Sequence, residues 1–289
     1  MIRVLVSVFG GLLGLAFGSF LNVCVTRWPE GESVIHPHSH CRTCGRTLAW
    51  WENVPVVSWL LLRGRCRTCG VQIGWRHTLV EAALGLAWAL IWWRALSDMP
   101  DGTISFSPLF ALQQLEAMFL SLVLVGLAAL DAEHFWLPDM VTLPTIALGL
   151  LARGANEALS SNGDNAAQAA RALGHGILAA AAGAAVVGGI RLVYWLVRHK
   201  EGIGWGDAKL MALLGAWMGF AGAILAFVLA VVMGASIAVA MYQRRSRRGG
   251  VEIWASSRLP LGTFLCAGGI VACLWGPELT AAYLRWAGF

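Results

Sequence analysis

Long apolar runs separated by short polar segments constrain the fold of this chain more than any other feature. The runs lie near residues 4–26, 79–97, 110–130, 140–153, 172–197, 208–220, 223–242 and 260–284. A membrane-spanning helix needs about 20 predominantly apolar residues. Only 13% of the 289 residues are charged, against about 25% in soluble proteins. The sequence therefore predicts an all-α polytopic membrane protein with about eight transmembrane helices.

The distribution of basic residues predicts the orientation of these helices. Arginine and lysine are concentrated in the segments that follow the first, fifth and seventh runs. Because basic residues in short loops stay on the cytoplasmic side, we expect these three segments to be cytoplasmic. The segments 97–108 and 153–171 are then expected to face the other compartment, together with both termini. The net charge of +5 is explained by this topology signal and by contact with membrane lipid, so no nucleic-acid partner is predicted.

The polar segment after the first run carries two C-x-x-C-G motifs, formed by Cys41, Cys44, Cys66 and Cys69. Such paired knuckles place four thiolates around a tetrahedral zinc ion. The 21 residues between the pairs slightly exceed the spacing of about 15–20 in zinc ribbons. The alternatives are two disulfides or a redox-active motif, and a cytoplasmic location argues against stable disulfides. Four thiolates leave no open coordination position, which favours structural Zn²⁺.

This motif divides the chain into three predicted parts. Residues 1–26 form the first transmembrane helix, and residues 27–78 form a small cytoplasmic zinc-binding loop domain. Residues 79–289 form the transmembrane core. His36, His38 and His40 precede the first knuckle and are interpreted as loop residues, because the cysteines already complete the metal shell.

Two acidic residues, Asp131 and Asp207, are predicted to lie at the cytoplasmic ends of spans. Two neighbouring carboxylates can share a proton, so that one acts as a base on water while the other polarises a scissile carbonyl. Helix capping explains Asp207 equally well, but Asp131 would oppose the dipole of the helix that it ends. The residues alone leave open a catalytic pair, capping or an ion-coupling site. The glycines in segment 202–206 are expected to leave room for a substrate strand.

Three further charged residues accompany the two acids. Asp139 follows a proline before an apolar run, so an N-cap role is expected. Glu81 is interpreted as a helix-start acid or as a residue that faces substrate. Lys209 either holds Asp207 ionised or extends to the membrane surface.

Together these motifs resemble the type IV prepilin peptidases, also called leader peptidase/N-methyltransferases. The similarity extends over most of the chain. It includes a G-x-G-D motif that intramembrane aspartyl proteases share. The matching segments are 18–29, 41–69, 75–81, 131–139, 204–209 and 259–262.

The resemblance implies that Asp131 and Asp207 are a catalytic dyad of a bacterial inner-membrane protein. The dyad would cleave the basic leader of prepilins or pseudopilins after a glycine, on the cytoplasmic face. The resemblance also implies N-methylation of the new N-terminus with S-adenosylmethionine, although the sequence shows no Rossmann glycine motif and identifies no cofactor-binding residue. Alternatives are a peptidase alone, a non-catalytic scaffold of pilus or secretion assembly, and an ion-coupled transporter. No oligomeric state is predicted.

Overall fold

The computed structural model describes residues 1–97, 107–160, 165–200, 202, 204–246 and 259–288. Within these ranges all the long elements are helices, the segment between residues 31 and 75 is mostly irregular, and β-structure is limited to two isolated bridges. The all-α class predicted from the sequence is therefore confirmed. The helices are α1 (Ile2–Arg27), α2 (Val57–Leu61), α3 (Arg76–Ala95), α4 (Pro108–His134), α5 (Asp139–Ser160), α6 (Asn165–Arg198), α7 (Trp205–Ser246) and α8 (Leu261–Ala287).

In the described part of the chain, five helical segments are long and apolar enough to cross a membrane. They are Ile2–Glu30, Pro108–His134, Ala166–Arg198, Trp205–Gln243 and Leu261–Ala287. The predicted count of about eight spans is not confirmed by this criterion, which α3 and α5 do not meet. Most of the predicted loop 97–108 lies outside the described residues, as do Arg247, Arg248 and Arg258.

The predicted spans 208–220 and 223–242 are joined in the single element α7. This element has 42 residues, a length of about 60 Å, which is twice the thickness of about 30 Å of a bilayer core. Gly219 interrupts it with non-helical backbone angles, φ 75° and ψ 175°. A glycine at this position permits the break, because positive φ is unfavourable for residues with a Cβ atom.

The chain divides into two compact units. The first comprises Met1–Ser107 and Gln114–Ala129, and α1 packs closely against α3 within it. A Cβ atom at Gly14 would lie 2.7 Å from the carbonyl oxygen of Leu84, and one at Gly18 would lie 2.7 Å from the Cα of Glu81. These glycines therefore let the two helix backbones approach each other, as small residues do between membrane helices.

The second unit comprises Pro108–Gln113 and Leu130–Phe289, and α7 is its centre. Helices α5, α6 and α8 all pack on α7. Contact with α6 is close, since a Cβ atom at Gly183 would lie 2.7 Å from the carbonyl oxygen of Met211. The residues just after the first turn of α7 are completely buried, namely Leu210, Met211, Leu213 and Leu214. Asp207 therefore lies in the first turn of α7, directly before a stretch of completely buried side chains.

Candidate active site and metal centre

Asp131 lies in the last turn of α4 and is only 6% exposed. Its Oδ2 atom accepts hydrogen bonds from the backbone N–H of Thr263 at 2.7 Å and from the Thr263 hydroxyl at 3.1 Å. Thr263 is the third residue of α8, so its N–H has no acceptor within its own helix. The N-terminal end of α8 thus offsets the unfavourable position of Asp131 at the C-terminal end of α4.

Asp207 occupies the first turn of α7, where its carboxylate accepts a hydrogen bond from the backbone N–H of Gly204. This is the acidic half of a capping box, so the capping geometry predicted for Asp207 is present. The two acids are also close enough for the charge of Asp131 to act on Asp207. Both charges act on the buried thiol of Cys266 in α8. The structure therefore brings the two predicted acids together.

Leu137 separates two glycines that lie beside the acids. A Cβ atom at Gly206 would lie 3.1 Å from Leu137 Cδ1. A Cβ atom at Gly262 would lie 3.1 Å from that same atom and 2.9 Å from Asp131 Oδ2. The space at Gly206 is thus filled by Leu137, which corrects the expectation that it accommodates a substrate strand.

Lys209 has a different partner from the one expected. Its Nζ donates to both carboxylate oxygens of Asp139, at 2.6 and 2.8 Å. Asp139 is the first residue of α5, so this ion pair joins the start of α5 to the start of α7, two residues beyond Asp207. The pair forms because the loop after α4 places Asp139 beside α7, a contact between residues 70 positions apart that local sequence does not reveal.

The four predicted cysteine ligands converge in the first unit. Their sulfur atoms all lie within 4.8 Å of one another, and Cys41 Sγ and Cys69 Sγ are 3.8 Å apart. A tetrahedral Zn²⁺ with thiolate bonds of about 2.3 Å requires sulfur separations of about 3.8 Å. The donor set therefore fits Zn²⁺, and the histidines of the preceding loop are not part of this cluster.

Each knuckle is a tight turn that directs backbone amides toward sulfur. Gly45 and Gly70 have φ angles of 71° and 69°, which glycine adopts without steric cost. The N–H groups of Cys69 and Thr68 donate to Cys66 Sγ and lower the pKa of that thiol to about 6. The equivalent amides, those of Cys44 and Thr43, lower the pKa of Cys41. These thiols are therefore disposed to the thiolate form, which binds metal.

Two buried carboxylates hold the cysteine-rich loop in place. Glu52 forms a bidentate ion pair with Arg46, at 2.7 and 3.0 Å, and this pairing lowers the pKa of Glu52. Glu81 accepts a hydrogen bond of 2.8 Å from the backbone N–H of Val56. Glu81 is 9% exposed and lies in the second turn of α3, so it anchors the loop and does not cap the start of the helix.

Known proteins resemble the chain along almost its whole length. Residues 12–95 match the Bacterial Peptidase A24 N-terminal domain, and residues 118–239 match the Type IV leader peptidase family. A Stutzerimonas stutzeri protein named prepilin leader peptidase/N-methyltransferase is 34% identical, over 96% of this chain and 93% of the relative. The chain belongs to the type IV leader peptidase family.

Other members of the type IV leader peptidase family show the same correspondence. A relative of the same name in Pseudomonas aeruginosa is 33% identical, over 96% of this chain and 93% of the relative. Another in Myxococcus xanthus is 36% identical, over 85% of this chain and 66% of the relative. No solved structure matches the chain. The predicted family is confirmed, and this family member is a multi-pass protein of the bacterial inner membrane.

Proposed function

We propose that this protein is a membrane aspartyl endopeptidase that cleaves the basic leader of type IV prepilins and pseudopilins after a glycine. The name of its relatives, prepilin leader peptidase/N-methyltransferase, supports this substrate class. The observation that carries the proposal is the pair of neighbouring acids, Asp131 and Asp207, each held by the first-turn donors of a helix. Capping alone gives no reason for Asp131 to be buried beside a second carboxylate.

The two acids have different surroundings and are assigned different roles. Two donors from Thr263 stabilise the charged form of Asp131, so Asp131 takes a proton from the attacking water. Asp207 has one donor and is repelled by the charge of Asp131, so it carries the shared proton and gives it to the scissile carbonyl oxygen. As the C–N bond breaks, the proton held by Asp131 passes to the leaving amine, and a hydroxyl of the intermediate returns its proton to Asp207 as the carbonyl re-forms.

The distribution of basic residues supports a cytoplasmic location for both acids and for the proposed zinc-binding loop. A basic leader is itself retained in the cytoplasm. Its cleavage site would therefore reach acids that lie at the ends of spans on this side. We also propose the domain boundaries that the sequence predicts. The first helix covers residues 1–26, the loop domain covers 27–78 and the transmembrane core covers 79–289.

Methyl transfer is the second proposed activity, and it rests on the name of the relatives. Bound S-adenosylmethionine would supply an electrophilic methyl group to the amine that cleavage exposes. The zinc site has a structural role in this proposal: Cys41, Cys44, Cys66 and Cys69 would hold Zn²⁺, and no reaction step passes through it.

Mass spectrometry of a prepilin incubated with purified protein and S-adenosylmethionine tests both activities. Wild-type protein is expected to remove the leader and to add the mass of one methyl group. Asp131→Asn and Asp207→Asn should each abolish cleavage. Glu157→Gln is the matched control, because it also converts a carboxylate to an amide within a helix of the second unit but leaves both acids intact.

Each outcome has a distinct meaning. Cleavage by either aspartate variant would contradict the dyad. Cleavage without the added methyl group would leave a peptidase alone. Absence of cleavage by folded wild-type protein would favour a non-catalytic scaffold of pilus or secretion assembly.

A further inference from the structure

The short helix α2 exposes an apolar face that the proposed chemistry does not use. Val57, Leu60 and Leu61 are 48%, 61% and 71% exposed. Their spacing of three and four residues places them on one side of a helix. The indole N–H of Trp59 donates to the carbonyl oxygen of Ile73 at 3.1 Å, and the same ring packs on Gly64. Trp59 thus turns toward the loop domain and leaves the three apolar side chains outside it.

Hydrogen bonding fixes the level of α2 relative to the membrane helices. The N–H of Val56, which immediately precedes α2, is bonded to Glu81. Glu81 packs beside Gly18 of α1, nine residues before α1 ends, and nine helical residues correspond to about 13 Å. Helix α1 is apolar enough to cross a membrane. The start of α2 is therefore expected at a depth where α1 is still inside the membrane boundary.

The residues around α2 have the composition of a membrane interface. Arg63 and Arg65 follow the helix and are exposed, and basic side chains near a membrane surface are attracted to anionic lipid. Trp75, which is 64% exposed, immediately precedes α3, and tryptophan is enriched at this level of membrane proteins. An apolar face at the bilayer boundary beside exposed basic residues suits anionic phospholipid and not water.

We propose that α2 is an interfacial helix whose side chains Val57, Leu60 and Leu61 insert into the anionic phospholipid leaflet of the protein's own membrane. The Glu81 hydrogen bond holds the start of this helix at the bilayer boundary. Cys66 of the cysteine cluster lies five residues after α2, so the cluster is thereby held against the membrane surface. This inference depends on the membrane insertion of α1 and α3 and not on peptidase activity.

Photolabelling by lipid tests the inference in the full-length protein. The protein is placed in nanodiscs that contain phosphatidylglycerol with a diazirine near the glycerol end of its acyl chain, and labelled peptides are identified by mass spectrometry. Label is expected on residues 57–61, with α1 as the internal reference. Leu60→Asn with Leu61→Asn should reduce that label at least about tenfold, because each leucine loses its apolar transfer free energy. Ile35→Asn, at an apolar loop residue that is 73% exposed and lies outside α2, should leave it unchanged.

Three results would overturn the proposal. The first is an unlabelled segment 57–61 in wild-type protein whose α1 is labelled, which would leave this face for a soluble partner. The second is undiminished label in a double leucine variant that retains its zinc. The third is equal labelling by phosphatidylcholine, which would show that the helix has no preference for anionic phospholipid. Asp207→Asn should be labelled like wild type, so failure of the peptidase proposal and failure of this one are distinguishable.

Discussion

At the scale of single residues, the carboxylate of Asp131 occupies space that is free only because residue 262 is a glycine. A Cβ atom at Gly262 would lie 2.9 Å from Asp131 Oδ2. We predict that Gly262→Ala displaces the carboxylate and lowers the cleavage rate about 100-fold, the effect of misplacing a reacting group by about 1 Å. The measurement is kcat with purified protein. Gly276→Ala is the control in the same helix, since the nearest atom there is 4.0 Å away, and it should retain wild-type activity. Equal effects of the two substitutions would contradict the prediction.

The ion pair between Lys209 and Asp139 acts at the same scale, as a positioning contact for Asp207. The pair is partly exposed, and exposed pairs contribute about 0.2–1 kcal/mol. Lys209→Gln or Asp139→Asn is therefore expected to lower kcat only about two- to fivefold and to leave KM unchanged. In a double-mutant cycle, the double variant should be no slower than either single variant, because each substitution removes the same contact. Losses that multiply in the double variant would show that the two residues act separately.

Among the structural elements, the paired knuckles make the clearest prediction about metal. Purified protein should contain about one zinc ion per chain, and Cys66→Ser should lose it, because three thiolates do not complete a structural site. Elemental analysis provides the measurement. Cys24→Ala is the control, since Cys24 is buried in α1 and outside the cluster. Loss of zinc should also lower the thermal stability of the loop, because a structural metal contributes folding free energy. Unchanged zinc content in Cys66→Ser would exclude the four-thiolate site.

The break in α7 makes a second prediction at the scale of elements. Gly219 has a φ angle of 75° and a ψ angle of 175°, a combination that is essentially restricted to glycine and costs other residues about 1–3 kcal/mol. Gly219→Ala should therefore lower the midpoint of thermal unfolding in detergent. Gly189→Ala is the matched control in α6, where no atom lies within 4 Å of the added methyl group. A midpoint for Gly219→Ala that is no lower than that of the control would indicate that the break is not required.

For the whole molecule, the same break decides how many times the chain crosses the membrane. If each half of α7 is a span, a reporter fused after Gln243 will be cytoplasmic, as will one fused after Lys200. If α7 crosses once, the Gln243 fusion will be on the outer side. Alkaline phosphatase is active only outside and green fluorescent protein fluoresces only inside, so paired fusions give the answer. A fusion after Ser160 provides the outer-side reference, and we expect the Gln243 fusion to be fluorescent.

Also at the scale of the molecule, the sequence predicted what depends on composition and missed what depends on distant contacts. Apolar runs located the long helices, because lipid-facing helices need continuous hydrophobic sequence. The two C-x-x-C-G motifs located the metal cluster, since knuckle geometry is local. The partner of Asp131 was missed because Thr263 is 132 residues away. The only sequence signal was a threonine in the first turn of the helix after Pro260. It indicates a hydrogen-bond donor but does not identify Asp131 as the acceptor.

The hydrogen bonds between α8 and Asp131 also set an order of events during biosynthesis. Ribosomes synthesise the chain from its N-terminus to its C-terminus, so α4 and α7 emerge before Thr263 does. Until α8 has been made and inserted, Asp131 lacks both of its donors and the acid pair is incomplete. A nascent chain that already carries both acids would therefore remain inactive, and proteolytic competence would appear only as synthesis reaches its final helix.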